Sequence, residues 1–307
     1  MMTFDFADTV QNPFYHLCSD GALTPRLIES EDDFRSAFNL IGVCAANSRI
    51  RILSYSIEET HLHLLVCSTY PSCKLFKSMF EESWDHHVAR KRGTLKGADI
   101  EIEIIPVDSR DYLMNVGTYT IIQPTKDGKG VLPYDYRWGT GSMYFRPEGH
   151  VPIWCRNEDG SIADTVAVES LSTRAVRRIL CSRRQVPGGW RLCQGLLLPD
   201  NYVDTGLYEQ IYQTANCFRV YMASNRSREQ AVRERIAAFR GVSLDDAEAH
   251  QVFSDLMLRL YGFKDVRRLN AEQRIGVAQQ LRKIHRLALR QIAALVRLPY
   301  QEVCKYV

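Results

Sequence analysis

The chain is expected to fold as an α+β protein: a ferredoxin-like antiparallel sheet with helices on one face, followed by a mainly helical C-terminal part. Three observations predict this. Apolar residues alternate with period two in four short segments and with helical period in the segments between them. Those segments run in the order β-α-β-β-α-β-α over the first 123 of 307 residues. Beyond about residue 149 strand-like stretches give way to helix-length periodic segments.

Phe14-Tyr-His-Leu-Cys18 reads as the first strand. Glu29 to Asn47 has helical spacing, with Phe34, Phe38 and Ile41 on one side and Ser30 as N-cap. Ile50 to Ile57 is a second strand, and Glu58-Glu59-Thr60 a polar turn into a third, His61 to Cys67. Ser72 to Arg92 is a helix with Leu75, Met79 and Val88 among its apolar positions, and Arg90 to Gly97 reads as a basic loop. Ile100 to Val107 alternates acidic and aliphatic residues, as a half-buried strand does. Ser109 caps a helix that runs to about Gln123, where Pro124 helps to stop it. Lys126 to Gly130 is a turn-rich exit, Tyr134 to Phe145 an aromatic segment, and Arg146 to Gly149 the expected boundary. Two domains follow, 1–148 and 149–307. The second contains helices near 172–182, 207–219, 227–239, 244–261 and 271–284, and a closing pair.

Hydrophobic residues make up 45% of the chain and charged residues 24%, an ordinary globular balance. The net charge of +3 neither demands nor excludes a nucleic-acid partner, so local clustering decides. Nine scattered cysteines without a C-x-x-C pair fit neither a disulfide framework nor a zinc module. No secretory leader or apolar run of membrane-spanning length is visible, and a reducing, cytoplasmic setting is the expectation.

The chemistry concentrates in Thr60-His61-Leu62-His63-Leu64. In a strand His61 and His63 point to the same face, and Leu62 and Leu64 to the other. Two neutral imidazoles on one face can hold a divalent metal. Tyr119 and Gln123, one helical turn apart, offer a nucleophile and a third ligand. The set suggests metal-assisted attack of a tyrosine on a phosphodiester. Taken singly, each residue has a structural reading: an H-x-H pair in a strand and a tyrosine in a helix often only pack. Tyr112, seven residues before Tyr119, is the rival nucleophile, but Val116 follows it where a ligand would stand. His16 either borders the site or packs in the core. His86 and His87 face different ways on a helix and read as a solvated surface pair. Cys67 reads as a small core residue.

Two basic clusters are candidate phosphate contacts: Arg90, Lys91, Arg92 and Lys96, and then Arg177, Arg178, Arg183 and Arg184 near Trp190. Solvated surface is the competing reading of each. Ala278 to Ile284 and Arg290 to Tyr306 have helix-turn-helix spacing (271–307 in all). Ile292 and Leu295 turn inward, Leu298-Pro299 makes the turn, and Gln301, Glu302 and Lys305 face outward. A plain three-helix packing unit is the alternative.

His61-Leu62-His63, with Phe14 to Gly21, Ile28 to Arg35, Ile52 to Ile57, Tyr112-Leu-Met, Tyr119 to Pro124 and Pro133 to Trp138, resembles the single-tyrosine HUH transposases. The branch it is most similar to is the REP-associated tyrosine transposases, and the likeness covers residues 14 to about 145. The resemblance implies the HUH fold and a single-stranded DNA substrate beside a hairpin such as a palindromic repeat. It implies Tyr119 as the nucleophile that leaves a 5′-phosphotyrosine, and His61, His63 and Gln123 as ligands of Mg²⁺ or Mn²⁺. It allows a homodimer. The chain departs from the branch in having Gln123-Pro124 where Asn-Pro is usual, and Gly139-Thr140 where a serine pair is usual. It also lacks the glycine- and aromatic-rich stretch before the tyrosine helix. A DNA-binding regulator without turnover, a protein-interaction role and a replication-initiator relaxase are the competing functions.

Overall fold

The structure is a computed structural model, and it describes residues 13–21, 24–125, 131–147, 149–223, 226–240, 246–285 and 287–307. The expected turn-rich exit at Lys126–Gly130 lies outside them.

The first strand β1 (Phe14–Ser19) leads into α1 (Glu31–Ser48), capped by Ser30, whose hydroxyl accepts from the Asp33 N–H at 3.2 Å. Three acids in the first turn of α1 suit the positive end of a helix. Then come β2 (Arg51–Ile57), β3 (Leu62–Cys67) and α2 (Tyr70–Arg92), which starts at Thr69 and ends at Gly93 in the left-handed region (φ 69°). After β4 (Ile102–Val107), Ser109 caps α3 (Arg110–Ile122).

The four strands pair antiparallel in the order β2-β3-β1-β4, as two interleaved split β-α-β units do. Period two divides the side chains between two faces. Leu17, Ile52, Tyr55, Leu62, Leu64, Val66, Ile102 and Ile104 enter the main core with Phe38, Leu40, Ile41 and Cys44 of α1 and Phe76, Phe80 and Trp84 of α2. The other face is covered by α3, which packs on β2 and β3. Helices therefore lie on both faces, not on one as expected, because the second face also carries apolar residues (Leu53, Leu65, Ile105) that need cover. For the same reason Glu101 and Glu103, expected on a solvated side of their strand, are buried.

The edge of β2 is not bare. Residues 138–140 bond to it (Ile57 N–H to Trp138 O, 3.0 Å; Thr140 N–H to Tyr55 O, 3.1 Å), and Tyr136 and Tyr144 donate to the Ile57 and Leu53 carbonyls. Such cover removes an open edge that would invite pairing with another chain.

The boundary expected at 148/149 is not where the chain divides; the compact units are 1–232 and 233–307. Nor is the stretch after 149 helical at first. It forms a small antiparallel sheet, β5 (Thr165–Ala167), β6 (Arg191–Cys193) and β7 (Leu196–Leu197), with one short helix, α4 (Thr173–Ile179). The reason is that α1 is apolar on two sides. Val43 packs with Leu192 and Leu197, and the Asn39 side chain bonds to the Ile179 and Gly195 carbonyls and the Leu197 N–H. A Cβ on Gly42 would come within 2.8 Å of the Tyr202 ring, so this mid-helix glycine admits the close approach.

The single helix expected at 207–219 is two, α5 (Thr205–Tyr212) and α6 (Ala215–Met222), broken at Gln213 (φ 65°) with Thr214 capping the second. Tyr212 donates to the Met114 carbonyl at 2.7 Å and holds α3 against the sheet. Gly117 of α3 lies between them: a Cβ there would stand 2.5 Å from Tyr212 Oη and 3.4 Å from Leu65. Ala has the better helix propensity by about 1 kcal/mol, but overpacking costs about 1–3 kcal/mol. Gly117→Ala is therefore expected to destabilise, read as a lower urea midpoint; an unchanged or higher midpoint contradicts this packing.

α7 (Arg226–Arg240) spans the division between the units. The second unit holds α8 (Asp246–Tyr261), α9 (Ala271–His285), α10 (Leu289–Val296) and α11 (Tyr300–Tyr306). Its core joins Phe253, Leu256 and Met257 to Val277, Leu281, Ile292, Leu295, Val296 and Val303. α10 ends at Arg297 in the left-handed region (φ 54°), and Pro299 directly precedes α11, so the two short helices are joined by a tight corner. No helix among the described residues is long and apolar enough to cross a membrane.

Candidate functional site

β3 and α3 meet on the sheet face opposite the main core. The Tyr119 ring lies edge-on to His63, with centroids 5.3 Å apart, and 6.4 Å from His16. His61, immediately before β3, stands perpendicular to His63 at 5.0 Å. Its Nδ1 faces the Thr60 hydroxyl at 2.9 Å. The histidine pair and the tyrosine therefore share one face.

The strand register adds residues that the sequence did not single out. Across the sheet, Ser56, His63, Cys18 and Glu103 form one row of directly opposed residues. His16 stands two residues along β1 from Cys18, on the same face. Its Nε2 lies 3.0 Å from His63 Nδ1, and its Nδ1 3.4 Å from the Tyr112 hydroxyl. His16, Cys18 and His63 bring their ligand atoms within 4.8 Å of one another, and all three are buried. Of these, His63 was a named candidate ligand and His16 was flagged by its place on the first strand. Cys18 carried no signal, because its partner is 45 residues away.

His16 Nε2 and His63 Nδ1 are hydrogen-bonded to each other here, and the three residues could together hold a metal ion. Two imidazole nitrogens bound tetrahedrally at about 2.0–2.1 Å stand roughly 3.3 Å apart, close to the separation of the His16 and His63 nitrogens. The donors are softer than expected, however. Two imidazoles and a thiol suit zinc or another late transition ion better than Mg²⁺, which prefers oxygen.

Gln123 is the expected ligand with the weakest geometric support. It is buried at the C-terminal end of α3, and its amide nitrogen donates to the Tyr119 carbonyl at 2.9 Å. Tyr112, passed over for lack of a following ligand, does reach the cluster through its hydroxyl. Tyr119 itself is 6% exposed.

The basic clusters fare differently from one another. Arg90, Lys91 and Arg92 belong to the last turn of α2 rather than to a loop. Lys91 and Arg92 are committed to buried Asp33 (2.9 and 3.1 Å), and Arg92 also reaches Glu29 and the Arg26 and Leu27 carbonyls. They tie α2 to α1. Lys96 and Arg178 are exposed. Arg90, Arg177, Arg183 and Arg184 line one cleft of about 710 Å³ together with His86 and His87. His87 is no surface residue: its Nε2 lies 2.9 Å from Asp33 Oδ1. In the second unit Gln301 and Lys305 are exposed on α11, and Ile292 and Leu295 are buried as expected.

Comparison with known proteins adds no relative: no family model, no curated protein and no solved structure matches the chain.

Proposed function

We propose that the chain is a metal-dependent, single-tyrosine endonuclease-transposase of the HUH kind that cleaves and rejoins single-stranded DNA beside hairpins through a 5′-phosphotyrosine. The observation that carries this is the Tyr119 ring set against His63, with His61 beside it, on one face of a four-stranded antiparallel sheet. In this reading the sheet is an HUH sheet, and α10 and α11 form a helix-turn-helix whose Gln301 and Lys305 contact DNA. The protein works in the cytoplasm, as a monomer or a homodimer.

A bound divalent ion would take up charge on the scissile phosphate, Mg²⁺ or Mn²⁺ in this reading although the imidazoles and thiol present suit a softer ion better; His61 and His63 would hold it, with Gln123 or the neighbouring His16 completing the set. The chain supplies the rest. A phenol, with an ordinary pKa of about 10, is a weak nucleophile that must lose its proton as it attacks. The Tyr119 oxygen bonds to phosphorus, the 3′-oxygen leaves, and the phosphotyrosine conserves the bond energy for rejoining. Because Tyr119 is almost fully buried, DNA reaches it only when the C-terminal end of α3 shifts away from the sheet.

That burial also favours a second reading, a DNA-binding regulator without turnover. One assay separates the two. Labelled single-stranded hairpin oligonucleotides are incubated with Mn²⁺ and run on a denaturing gel. An adduct that survives denaturation is expected; hairpin binding without any adduct would leave the regulator. Replacing His61 and His63 together with Ala is expected to remove cleavage and its metal dependence at once. Cleavage that persists at wild-type rate in the double variant would take both histidines out of the site.

A further inference from the structure

A second constellation lies on the opposite side of the sheet, where α1, α2 and the segment after α4 meet. Cys181 lies just past the Leu180 C-cap of α4, with its backbone in the left-handed region (φ 51°) although it is not a glycine. Non-glycine residues are held there only when the surroundings impose it, and such positions concentrate at functional sites. The thiol is half-buried, and its Sγ lies 3.3 Å from the Ser36 hydroxyl of α1. Beside it stands His87 of α2, 6% exposed. His87 Nε2 is anchored on Asp33 at 2.9 Å, while its Nδ1 is buried without a hydrogen bond of regular geometry. Cys181 and His87 both line the cleft of about 710 Å³.

We propose that Cys181, His87 and Asp33 form a reactive-thiol site that undergoes thiol–disulfide exchange with small anionic disulfides. The arrangement is that of a nucleophile, a base and a residue that orients the base. Asp33 fixes the imidazole, and the imidazole and the thiol line one cleft. The charges around the site come from every neighbouring element: Asp33 from α1, itself paired with Lys91 and Arg92 of α2, then Glu82, His86 and Arg90 from α2, and Arg177, Arg183 and Arg184 from the segment around Cys181. Glu82 is paired with Arg184 at 3.2 Å, whereas Arg90, Arg177 and Arg183 make no ion pair among the described residues. The cleft is therefore net positive, which selects an anionic partner. Titration agrees with the geometry. Burial alone would raise the Cys181 thiol, but His87, Ser36 and Arg90 outweigh it and the pKa is lowered. Burial would lower His87, but Cys181 and Asp33 outweigh it and its pKa is raised.

The exchange balances. The Cys181 proton passes to His87, and the thiolate attacks one sulfur of the disulfide. The new Cys181–sulfur bond forms as the old disulfide bond breaks. The other half leaves with the electron pair and takes up the proton as a thiol. Cys181 is oxidised and the departing half reduced.

The test uses the full chain with two aromatic disulfides, dianionic dithiobis(nitrobenzoate) and neutral dithiodipyridine, and locates the modified thiol by peptide mass spectrometry. Cys217, also half-buried, is the internal reference. At pH 6.5 Cys181 is expected to react at least about tenfold faster than Cys217, as a thiol paired with a histidine does. Arg90→Gln with Arg177→Gln is expected to lower the anionic-to-neutral rate ratio several-fold. His87→Gln is expected to move the Cys181 pH–rate midpoint up toward that of Cys217; should this variant not fold, the wild-type profile and the arginine pair decide. Cys181 reacting in step with Cys217 across pH, or showing no preference for the anionic probe, would overturn the proposal.

Discussion

Tyr119→Phe is expected to abolish the covalent protein–DNA adduct, with cleavage falling by at least about 10⁴-fold, the order seen when a covalent nucleophile is removed. The substitution deletes only the oxygen that would bond to phosphorus. The ring keeps its place against His63 and His16, so hairpin binding should stay within about twofold and stability within about 1 kcal/mol. Tyr112→Phe is the matched control, because its hydroxyl also reaches the cluster, 3.4 Å from His16. Adduct lost in Tyr112→Phe and kept in Tyr119→Phe would exchange the two roles. Adduct kept in both would remove tyrosine chemistry from the protein.

Asp33→Ala is expected to cost about 3–5 kcal/mol of folding stability, the usual effect of removing one member of a buried ionic cluster. Asp33 is fully buried and accepts from His87, Lys91, Arg92 and the Glu29 N–H. Without it, the Arg92 guanidinium stays largely buried with Glu29 as its one remaining carboxylate, beside the Arg26 and Leu27 carbonyls. The same cluster sets the pH dependence. Burial works to raise the Asp33 carboxyl, but the hydrogen bonds from His87 and Lys91, the Glu29 N–H and Arg92 hold it well below the usual carboxylate range. Its contribution is complete above about pH 4 and is lost as pH falls through the lowered folded value. His87, raised by its partners against burial, acts in the other direction. Its contribution is complete below about pH 6.5 and is lost as pH rises through the raised folded value. Thermal melts should therefore peak between these limits in the wild type, and the acid-side loss should be much shallower in Asp33→Ala. Parallel pH profiles for the two proteins would remove Asp33 from this role.

The elements before residue 124 were legible because period and punctuation agree. Ser30 and Ser109 each cap a helix as read from the sequence, and Pro124 stands just past the end of α3. The divided 207–219 helix was not legible, because Gln213 carries no breaker signature and adopts a positive φ only in context. The small sheet β5-β6-β7 was missed because its strands are two or three residues long, too short for any period to show. His87 looked like half of a solvated pair because its neighbour His86 is indeed exposed, and only the α1–α2 packing reveals that one of the two turns inward onto Asp33.

The sequence by itself determined the α+β class, the order of the first seven elements and the sharing of one strand face by His61 and His63. These follow from local rules: alternation in a strand, capping at a helix start, and the stop after α3. Only the tertiary structure decided that α3 covers the second sheet face, that His16 and Cys18 join His63, that Lys91 and Arg92 serve Asp33, and that Cys181 and His87 line one cleft. Each of these joins residues tens of positions apart, and strand register and helix docking set such distances through packing, which no local spacing encodes.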